Sequence, residues 1–308
     1  MSASLLVADP LSKPQSVWPG LLLAMLGAIA FSGKAIIVKL AYRYGVDAVT
    51  LIMYRMLFAL PMFVLLAWWA GRGQPRLERR DWLAVLGLGF CGYYLASFLD
   101  FAGLAYVTAS FERLILYLNP TLVLLLGWLL YKRRFTRKHV IALCVSYAGV
   151  LLVFGQELTL QGSQVLLGAG LVFASALSYA VYLVCSEEVV KRLGSLRLTG
   201  LATTVACLLC IVQFLLLKPI SAATSVAPEV VWLSLLNATL CTFVPVLFVM
   251  MALERIGSAL AAQTGMVGPM STILMGVLIL GEPFTPWVAA GTALVLAGVW
   301  LLTRWHRA

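Results

Sequence analysis

Six charged residues lie within long apolar runs of the sequence: Lys34, Lys39, Arg55, Asp100, Glu112 and Arg113. A charge in apolar surroundings is costly, on the order of 3 kcal/mol on membrane-insertion scales, so such groups pair with each other or face a wet cavity. In a cavity, Lys34 or Arg55 could bind the carboxylate of a zwitterion. Asp100 or Glu112 could bind its amine. A network of internal salt bridges that fixes the helices is the alternative interpretation.

Polar and aromatic residues recur at helical spacing close to these charges. Tyr93, Ser97 and Asp100 are spaced i, i+4 and i+7, which places them on one face of a helix. Tyrosine suits amphipathic ligands, whereas serine in membrane helices is commonly used for hydrogen bonds between helices. The candidate substrate-binding residues are Lys34, Arg55, Tyr93, Ser97, Asp100, Glu112, Asn119, Ser178, Tyr179, Tyr182 and Gln263.

The composition indicates which environment surrounds these residues. Of 308 residues, 62% are hydrophobic and 11% are charged, against roughly 25% charged in ordinary globular proteins. A core of this size cannot bury so much apolar surface, so lipid must be the solvent for most of it. The six cysteines lie in apolar runs and favour packing between helices over metal binding. We expect no metal site and no cofactor.

Ten apolar segments are long enough, or nearly so, to cross a membrane, which takes about 20 residues. They are Trp18–Tyr42, Ala48–Ala70, Trp82–Ala105, Ser110–Tyr131, His139–Gly155, Gln164–Cys185, Leu198–Leu217, Val230–Met251, Ser258–Leu280 and Trp287–Leu302. The fifth and tenth are the shortest. Lys39 and Arg113 lie close enough to segment ends for their side chains to extend toward lipid headgroups.

The loop charges predict the orientation of the chain. With the N-terminus in the cytoplasm, sixteen Lys and Arg residues fall in cytoplasmic segments and only Arg43 and Lys218 fall outside. Short cytoplasmic loops carry such an excess in membrane proteins. The net charge of +10 is therefore a topology signal and does not indicate a nucleic-acid partner. We expect a multi-pass protein of a bacterial inner membrane with both termini cytoplasmic.

The chain repeats itself at an offset of 149 residues. Without a gap, Leu104, Pro120, Gly127 and the pair Phe135-Thr136 align with Leu253, Pro269, Gly276 and the pair Phe284-Thr285. The repeat predicts two five-helix domains, residues 18–155 and 164–302. Because five is odd, the second domain enters the membrane from the opposite side, an arrangement typical of secondary transporters. The predicted fold is an all-α membrane protein of ten transmembrane helices in two inverted five-helix repeats.

Prolines and glycines occupy matching places in the two halves. Pro120 and Pro269 each remove a backbone hydrogen bond and allow a kink, so we interpret them as hinges, with static kinks as the alternative. Gly291 and Gly298 lie two turns apart in the tenth segment, opposite the matching Ala142 and Gly149 of the fifth. Small residues at this spacing are typical of two helices that pack closely, so we predict close packing of the fifth and tenth segments.

Two matching groups of motifs carry a family resemblance that extends from about residue 20 to 302. The first is Leu104-Ala105-Tyr106-Val107-Thr108-Ala109-Ser110 with Asn119-Pro120. The second is Leu253-Glu254-Arg255-Ile256-Gly257-Ser258-Ala259 with Gly268-Pro269 and Gly281-Glu282-Pro283. With the ten-segment layout, they resemble the EamA family of the drug/metabolite transporter superfamily, including its aromatic amino-acid exporters of the YddG type. Phe31-Ser32-Gly33-Lys34 departs from the family's pattern in the first helix, where many members have a neutral residue.

The resemblance implies a secondary transporter that exports amino acids, aromatic ones included, or related small metabolites by alternating access. A carrier of a sugar or nucleotide derivative and a non-transporting membrane scaffold are the alternatives. The sequence lacks HExxH, GxSxG and phosphate-binding glycine motifs, so we expect no enzyme activity. The expected partners are a small-molecule substrate and membrane lipid, with the protein as a monomer or weak homodimer.

Overall fold

The computed structural model describes residues 17–132, 136–265 and 267–306, and every extended regular element in these ranges is a helix. The helices of the first half are α1 (Trp18–Tyr42), α2 (Ala48–Gly71), α3 (Arg79–Leu104), α4 (Ala109–Leu116), α5 (Asn119–Tyr131) and α6 (Arg137–Gln161). Those of the second half are α7 (Gln164–Leu193), α8 (Ser195–Leu217), α9 (Pro228–Ala238), α10 (Val244–Gly265), α11 (Val267–Leu280) and α12 (Pro286–His306). A single helical turn, Ser221–Thr224, precedes α9.

The helices form a multi-pass membrane protein. Within the described residues, eight helical spans are long and apolar enough to cross a membrane, and two shorter apolar helices, Val267–Leu280 and Pro286–Leu301, follow them. The fifth and tenth segments are longer than predicted, because α6 and α12 continue through polar residues beyond the apolar runs. Gln156, Glu157 and Thr159 of α6 illustrate this continuation.

Two predicted boundaries are wrong. The fourth segment is interrupted at Tyr117–Leu118, which separates α4 from α5. The cause is Pro120, which lacks an N–H and blocks the preceding helical turn. The loop predicted between the eighth and ninth segments, residues 252–257, is helical and belongs to α10. Good helix formers such as Ala252 and Arg255 favour this continuation.

The packing on α1 shows where the chain reverses after α10. Gly20 lies beside Ile256 and Gly27 beside Phe248, so α1 and α10 run antiparallel. The α11 helix runs back along α1, because Ser32 donates to the Gly268 carbonyl and Arg43, just after α1, donates to the Leu280 carbonyl. We call the end of the bundle at which α1 begins the proximal end, and the end at which it finishes the distal end.

Two segments of wider, π-helical winding interrupt membrane helices near their middles. One is Gly89–Leu95 within α3, and the other is Thr239–Phe243, which joins α9 to α10. The same 149-residue offset that aligns the two halves brings these segments onto each other. A π turn widens the ring of backbone hydrogen bonds and often marks a functional region. A third π segment, Gly276–Leu280, ends α11 and has no such counterpart, since Gly127–Tyr131 is α-helical.

The predicted close packing of small residues is confirmed between α6 and α12. A Cβ added at Gly149 would lie 2.6 Å from the Gly291 carbonyl oxygen. A Cβ added at Gly298 would lie 2.8 Å from the Ala142 carbonyl oxygen and closer still to Ser146. The two helices approach each other through their backbones, as membrane helices do at small residues.

Large apolar side chains cover the outside of the bundle. Leu216 is 78% exposed and Leu278 is 73% exposed, as expected where lipid is the solvent. Exposed tryptophans lie at or near helix ends, at Trp18, Trp68, Trp69, Trp82, Trp128, Trp232, Trp287 and Trp300. Such aromatic side chains mark the two levels at which a membrane meets water.

Replacing Gly149 with valine should destabilise the α6–α12 contact, because the side chain would meet backbone that cannot move away. Overpacking of this kind costs about 1–3 kcal/mol. The thermal midpoint of the detergent-solubilised protein should therefore fall. Gly155 lies on the same helix, and a Cβ added there would meet nothing within 4 Å, so Gly155→Val is the matched control. Equal midpoints for the two variants would contradict the packing argument.

Candidate substrate cavity

A cavity of about 350 Å³ lies near the middle of α1 and is lined by helices of both halves. The volume is within the usual range for small-molecule sites. Its lining residues are Ala28, Phe31, Ser32, Lys34, Arg55, Phe63, Gly92, Tyr93, Ala96, Ser97, Asp100, Arg113, Leu116, Tyr117, Asn119, Ser175, Tyr179, Thr242, Val246 and Gly268. The structure therefore brings seven candidate residues to one surface: Lys34, Arg55, Tyr93, Ser97, Asp100, Asn119 and Tyr179.

Lys34 is held by two carboxylates at the cavity wall. Its Nζ is 2.5 Å from Asp100 Oδ2 and 3.5 Å from Glu112 Oε1. The Glu112 side chain is fully buried and lies behind the lining rather than in it. These contacts join α1, α3 and α4 through one ammonium group. Both carboxylates predicted to bind a substrate amine are thus already neutralised in part by Lys34.

Arg55 is oriented by the second half of the chain. Its Nε donates to Thr242 Oγ1 at 3.0 Å, and its guanidinium carbon lies 5.1 Å from the centre of the Phe101 ring. Thr242 lies in the π segment and itself donates to the Asn237 carbonyl of α9 at 2.8 Å, five residues back. The wider winding of this segment therefore sets the position of the hydroxyl that holds Arg55.

Arg113 does not extend toward headgroups as the sequence predicted. It is 4% exposed and lines the cavity. Its Nε donates to Thr272 Oγ1 at 3.0 Å, and Nη2 donates to the Phe31 carbonyl at 3.4 Å. The break between α4 and α5 shortens the helix that begins at Ala109, and Arg113 lies a full turn into it, facing α11. Lys39 is half-buried and donates to the Leu104 carbonyl at 3.1 Å.

Tyrosines form the side of the cavity that faces α7. The rings of Tyr93 and Tyr182 meet edge to face at 5.1 Å between centroids, and their hydroxyl oxygens are 3.3 Å apart. Tyr179 stacks on Tyr182 at 5.5 Å. Tyr182 packs against Gly92 behind the lining, so it supports the two rings that face the cavity.

Two serines of α7 bind α3 within its π segment and just after it. Ser178 donates to the Cys91 carbonyl and Ser175 to the Ala96 carbonyl, each at 2.7 Å. Ser178 therefore lies outside the lining and holds α3 against α7, while Ser175 also reaches the cavity. Gln263 lies among the residues of α10 whose side chains fall outside the described ones.

The starts of α5 and α11 meet the cavity at matching positions. Asn119, the first residue of α5, and Gly268, near the start of α11, both line it and are related by the 149-residue offset. Pro120 and Pro269 follow them directly. The hinge interpretation of the prolines therefore concerns backbone at the edge of the cavity.

Contacts between the halves close the distal end of the bundle. Glu282 accepts the backbone N–H groups of Ala109 at 2.7 Å and Ser110 at 3.1 Å, and the Ser110 hydroxyl at 2.6 Å. Arg43 donates to the Leu280 carbonyl at 3.0 Å. Because Glu282 sits at the N-terminus of α4, its negative charge also interacts favourably with the helix dipole.

Several lining residues were absent from the sequence prediction. Phe31, Tyr117 and Thr242 carry no charge and interrupt no pattern, so composition alone does not distinguish them from core residues. The repeat predicts that Thr242 faces the cavity only once the positions of the two π segments are known. The sequence did contain a signal for Arg113. Because Arg113 directly follows Glu112 in an apolar run, the two side chains are expected to share one buried site.

Three cysteines, Cys207, Cys210 and Cys241, are buried as packing residues, whereas Cys144 and Cys185 are exposed. Cys207 and Cys210 are fully buried, and Cys207 Sγ lies 3.7 Å from Met56 Sδ. In the described ranges, no group of three His, Cys, Asp or Glu side chains is arranged to hold a metal ion.

Replacing Lys34 with methionine should leave the buried Asp100 carboxylate without its cation and Glu112 with Arg113 alone. Breaking a buried ion pair by removing one partner costs about 3–5 kcal/mol, so the thermal midpoint should fall steeply. Adding Asp100→Asn to this variant should recover part of the loss, because it removes one unpaired charge.

The control for this cycle is Lys218→Met. Lys218 forms a 3.3 Å pair with Asp47, but both side chains are about a third or more exposed, so its loss should cost no more than about 1 kcal/mol. Equal effects of the two lysine variants, or strictly additive losses in the double variant, would contradict the buried cluster.

Comparison with known proteins identifies the family. The sequence profile of the EamA-like transporter family matches residues 18–155 and again residues 166–304. An uncharacterized transporter of Bacillus subtilis, YcbK, is 28% identical over 285 residues, which cover 89% of each chain. An uncharacterized transporter of Archaeoglobus fulgidus is 25% identical over 92% of this chain and 96% of its own.

A solved crystal structure of another protein shares the fold. It superposes with a TM-score of 0.60 at 19% identity and covers 95% of this chain and 99% of its own. Together, the repeated profile match and the transporters that align along nearly the whole chain assign the protein. The chain belongs to the EamA-like transporter family, and it is a membrane transporter rather than an enzyme.

Proposed function

We propose that the protein is a secondary transporter that exports amino acids or their derivatives, those with aromatic side chains above all, across a bacterial inner membrane. The observation that carries the proposal is the cavity near the middle of the bundle. It combines buried cations with the rings of Phe31, Phe63, Tyr93 and Tyr179. A carboxylate with an apolar or aromatic body matches this combination of charge and surface.

The proposed topology is ten membrane spans in two inverted domains, residues 18–155 and 164–302, with both termini cytoplasmic. The excess of Lys and Arg in alternate loops supports it. In this orientation the distal end faces outward and the proximal end faces the cytoplasm. The fully buried side chains of Val38, Phe101 and Leu104 lie between the cavity and the distal end.

Alternating access then requires the distal end to open. The opening must break the hydrogen bonds that join Glu282 to Ala109 and Ser110. We call these contacts the distal latch. Pro120 and Pro269 lie where α5 and α11 begin, and neither can donate a backbone hydrogen bond that would resist bending. They are the proposed hinges of the movement.

Counterflow of labelled phenylalanine, leucine and N-acetylphenylalanine into proteoliposomes tests the proposed function. We expect saturable uptake in preloaded vesicles and uptake at the level of empty liposomes for Ser97→Phe, because the added ring fills the cavity. Leu86 lies on the same helix and is 48% exposed, so Leu86→Phe should retain uptake. If the folded protein takes up none of the three solutes, amino acids and their derivatives are excluded as substrates.

Replacing Glu282 with alanine should favour the outward-open state, because the N–H groups at the start of α4 lose their charged acceptor. Spin labels at Ala105 and Phe284 flank the latch and are both exposed. Their distance distribution, measured by double electron–electron resonance, should gain a longer component. Alanine at both Pro120 and Pro269 should reduce that component.

The control for the latch is Glu229→Ala, an exposed glutamate at the same end of the bundle. It should leave the distances unchanged. An unaltered distance distribution in Glu282→Ala would rule out the latch. A longer component that persists after both prolines are replaced would rule out the hinges but not the latch.

A further inference from the structure

The charged groups at the cavity do not balance. Three basic side chains, Lys34, Arg55 and Arg113, meet there, whereas Asp100 and Glu112 are the only carboxylates that the described residues bring to this cluster. None of these five residues is more than 6% exposed. Buried charge without a counter-charge is costly, so this cluster is one negative charge short.

The missing charge belongs beside Arg55. Among the described residues, no carboxylate lies within salt-bridge distance of its guanidinium, and its Nη1 has no hydrogen-bond partner. Lys34 in contrast contacts both carboxylates, and Arg113 lies 3.9 Å from Glu112. Arg55 lines the cavity and is 5% exposed, so its unpartnered nitrogen is available only to something inside.

The same arrangement disfavours a cationic amine. Asp100 has one oxygen, Oδ1, without a partner, but its other oxygen is 2.5 Å from Lys34 Nζ. An ammonium at Oδ1 would be a fourth cation within a few ångströms of Lys34. Like charges at such distances repel strongly where water is excluded.

We propose that the transported solute carries a net negative charge, with its carboxylate bound by Arg55 and with no cationic amine. This substrate class comprises aryl carboxylates and N-acylated amino acids rather than free zwitterionic amino acids. The inference rests on the proposed function and narrows it to the derivatives. Arg55 is the specificity-determining residue, and Thr242 orients it.

The surroundings of Arg55 suit an aromatic carboxylate. Phe63 lines the cavity with Arg55, and Phe101 lies beneath the guanidinium. A planar guanidinium binds a carboxylate through two parallel hydrogen bonds, and the fixed Nε contact with Thr242 leaves the terminal nitrogens for this purpose. The ring of the solute would then extend toward Tyr93 and Tyr179.

Three ligands with the same aromatic body test the inference on the unaltered protein. They are 3-phenylpropanoate, an anion, phenylalanine, a zwitterion, and 2-phenylethylamine, a cation. Isothermal titration calorimetry of the full chain in detergent should show 3-phenylpropanoate binding about tenfold or more tightly than phenylalanine. The amine should give no binding.

Variants of Arg55 then test whether its guanidinium binds the carboxylate of the solute. Arg55→Gln should weaken 3-phenylpropanoate binding by about tenfold or more, and Arg55→Lys should retain part of the affinity because it keeps the charge. Arg72→Gln, at an exposed arginine that stacks on Trp68, should bind as the unaltered protein does. Thermal midpoints identify any variant that fails to fold, and the ligand series does not depend on the variants.

The outcomes separate the inference from the proposed function. Phenylalanine that binds as tightly as 3-phenylpropanoate overturns the inference and leaves amino-acid export standing. Unchanged anion binding in folded Arg55→Gln also overturns it. Absence of binding by all three ligands, together with absence of counterflow, overturns both.

Discussion

The need to pair charge in a bundle surrounded by lipid determines how the first half of this protein is assembled. Lys34, Asp100 and Glu112 come from three different helices and meet at one point with almost no exposure. None of the three helices can rotate or slide without separating an ion pair in apolar surroundings. The position of the cavity follows from this meeting point, because the remaining cations, Arg55 and Arg113, are aligned beside it.

The two halves contribute different chemistry to the same site. The first half supplies the charges, and the second half supplies the hydroxyls that orient them, Thr242 for Arg55 and Thr272 for Arg113. Glu282 of the second half in turn binds the start of α4. A duplicated architecture has thus become a division of roles, in which neither half forms the cavity alone.

Much of this arrangement was predictable from the sequence, because it rests on strong signals. Charges in apolar runs indicated Lys34, Arg55 and Asp100, and the spacing of small residues indicated the contact of Gly149 with Gly291. The remainder depends on events that leave no composition signal. Two π segments shift the phase of α3 and of α9–α10, which moves Thr242 into the cavity and turns Ser178 toward a backbone carbonyl.

The matching π segments also bear on the history of the chain. Gly89–Leu95 and Thr239–Phe243 occupy the same place in each half, so a single ancestral unit that already contained this turn accounts for both. Among the described residues, the buried charges of the cavity cluster come from the first half only, so they arose after the duplication or were lost from the other copy. The two halves thus share the backbone irregularity but not the charges. Descendants of the same ancestor could change what they bind by exchanging a few side chains around an inherited bend.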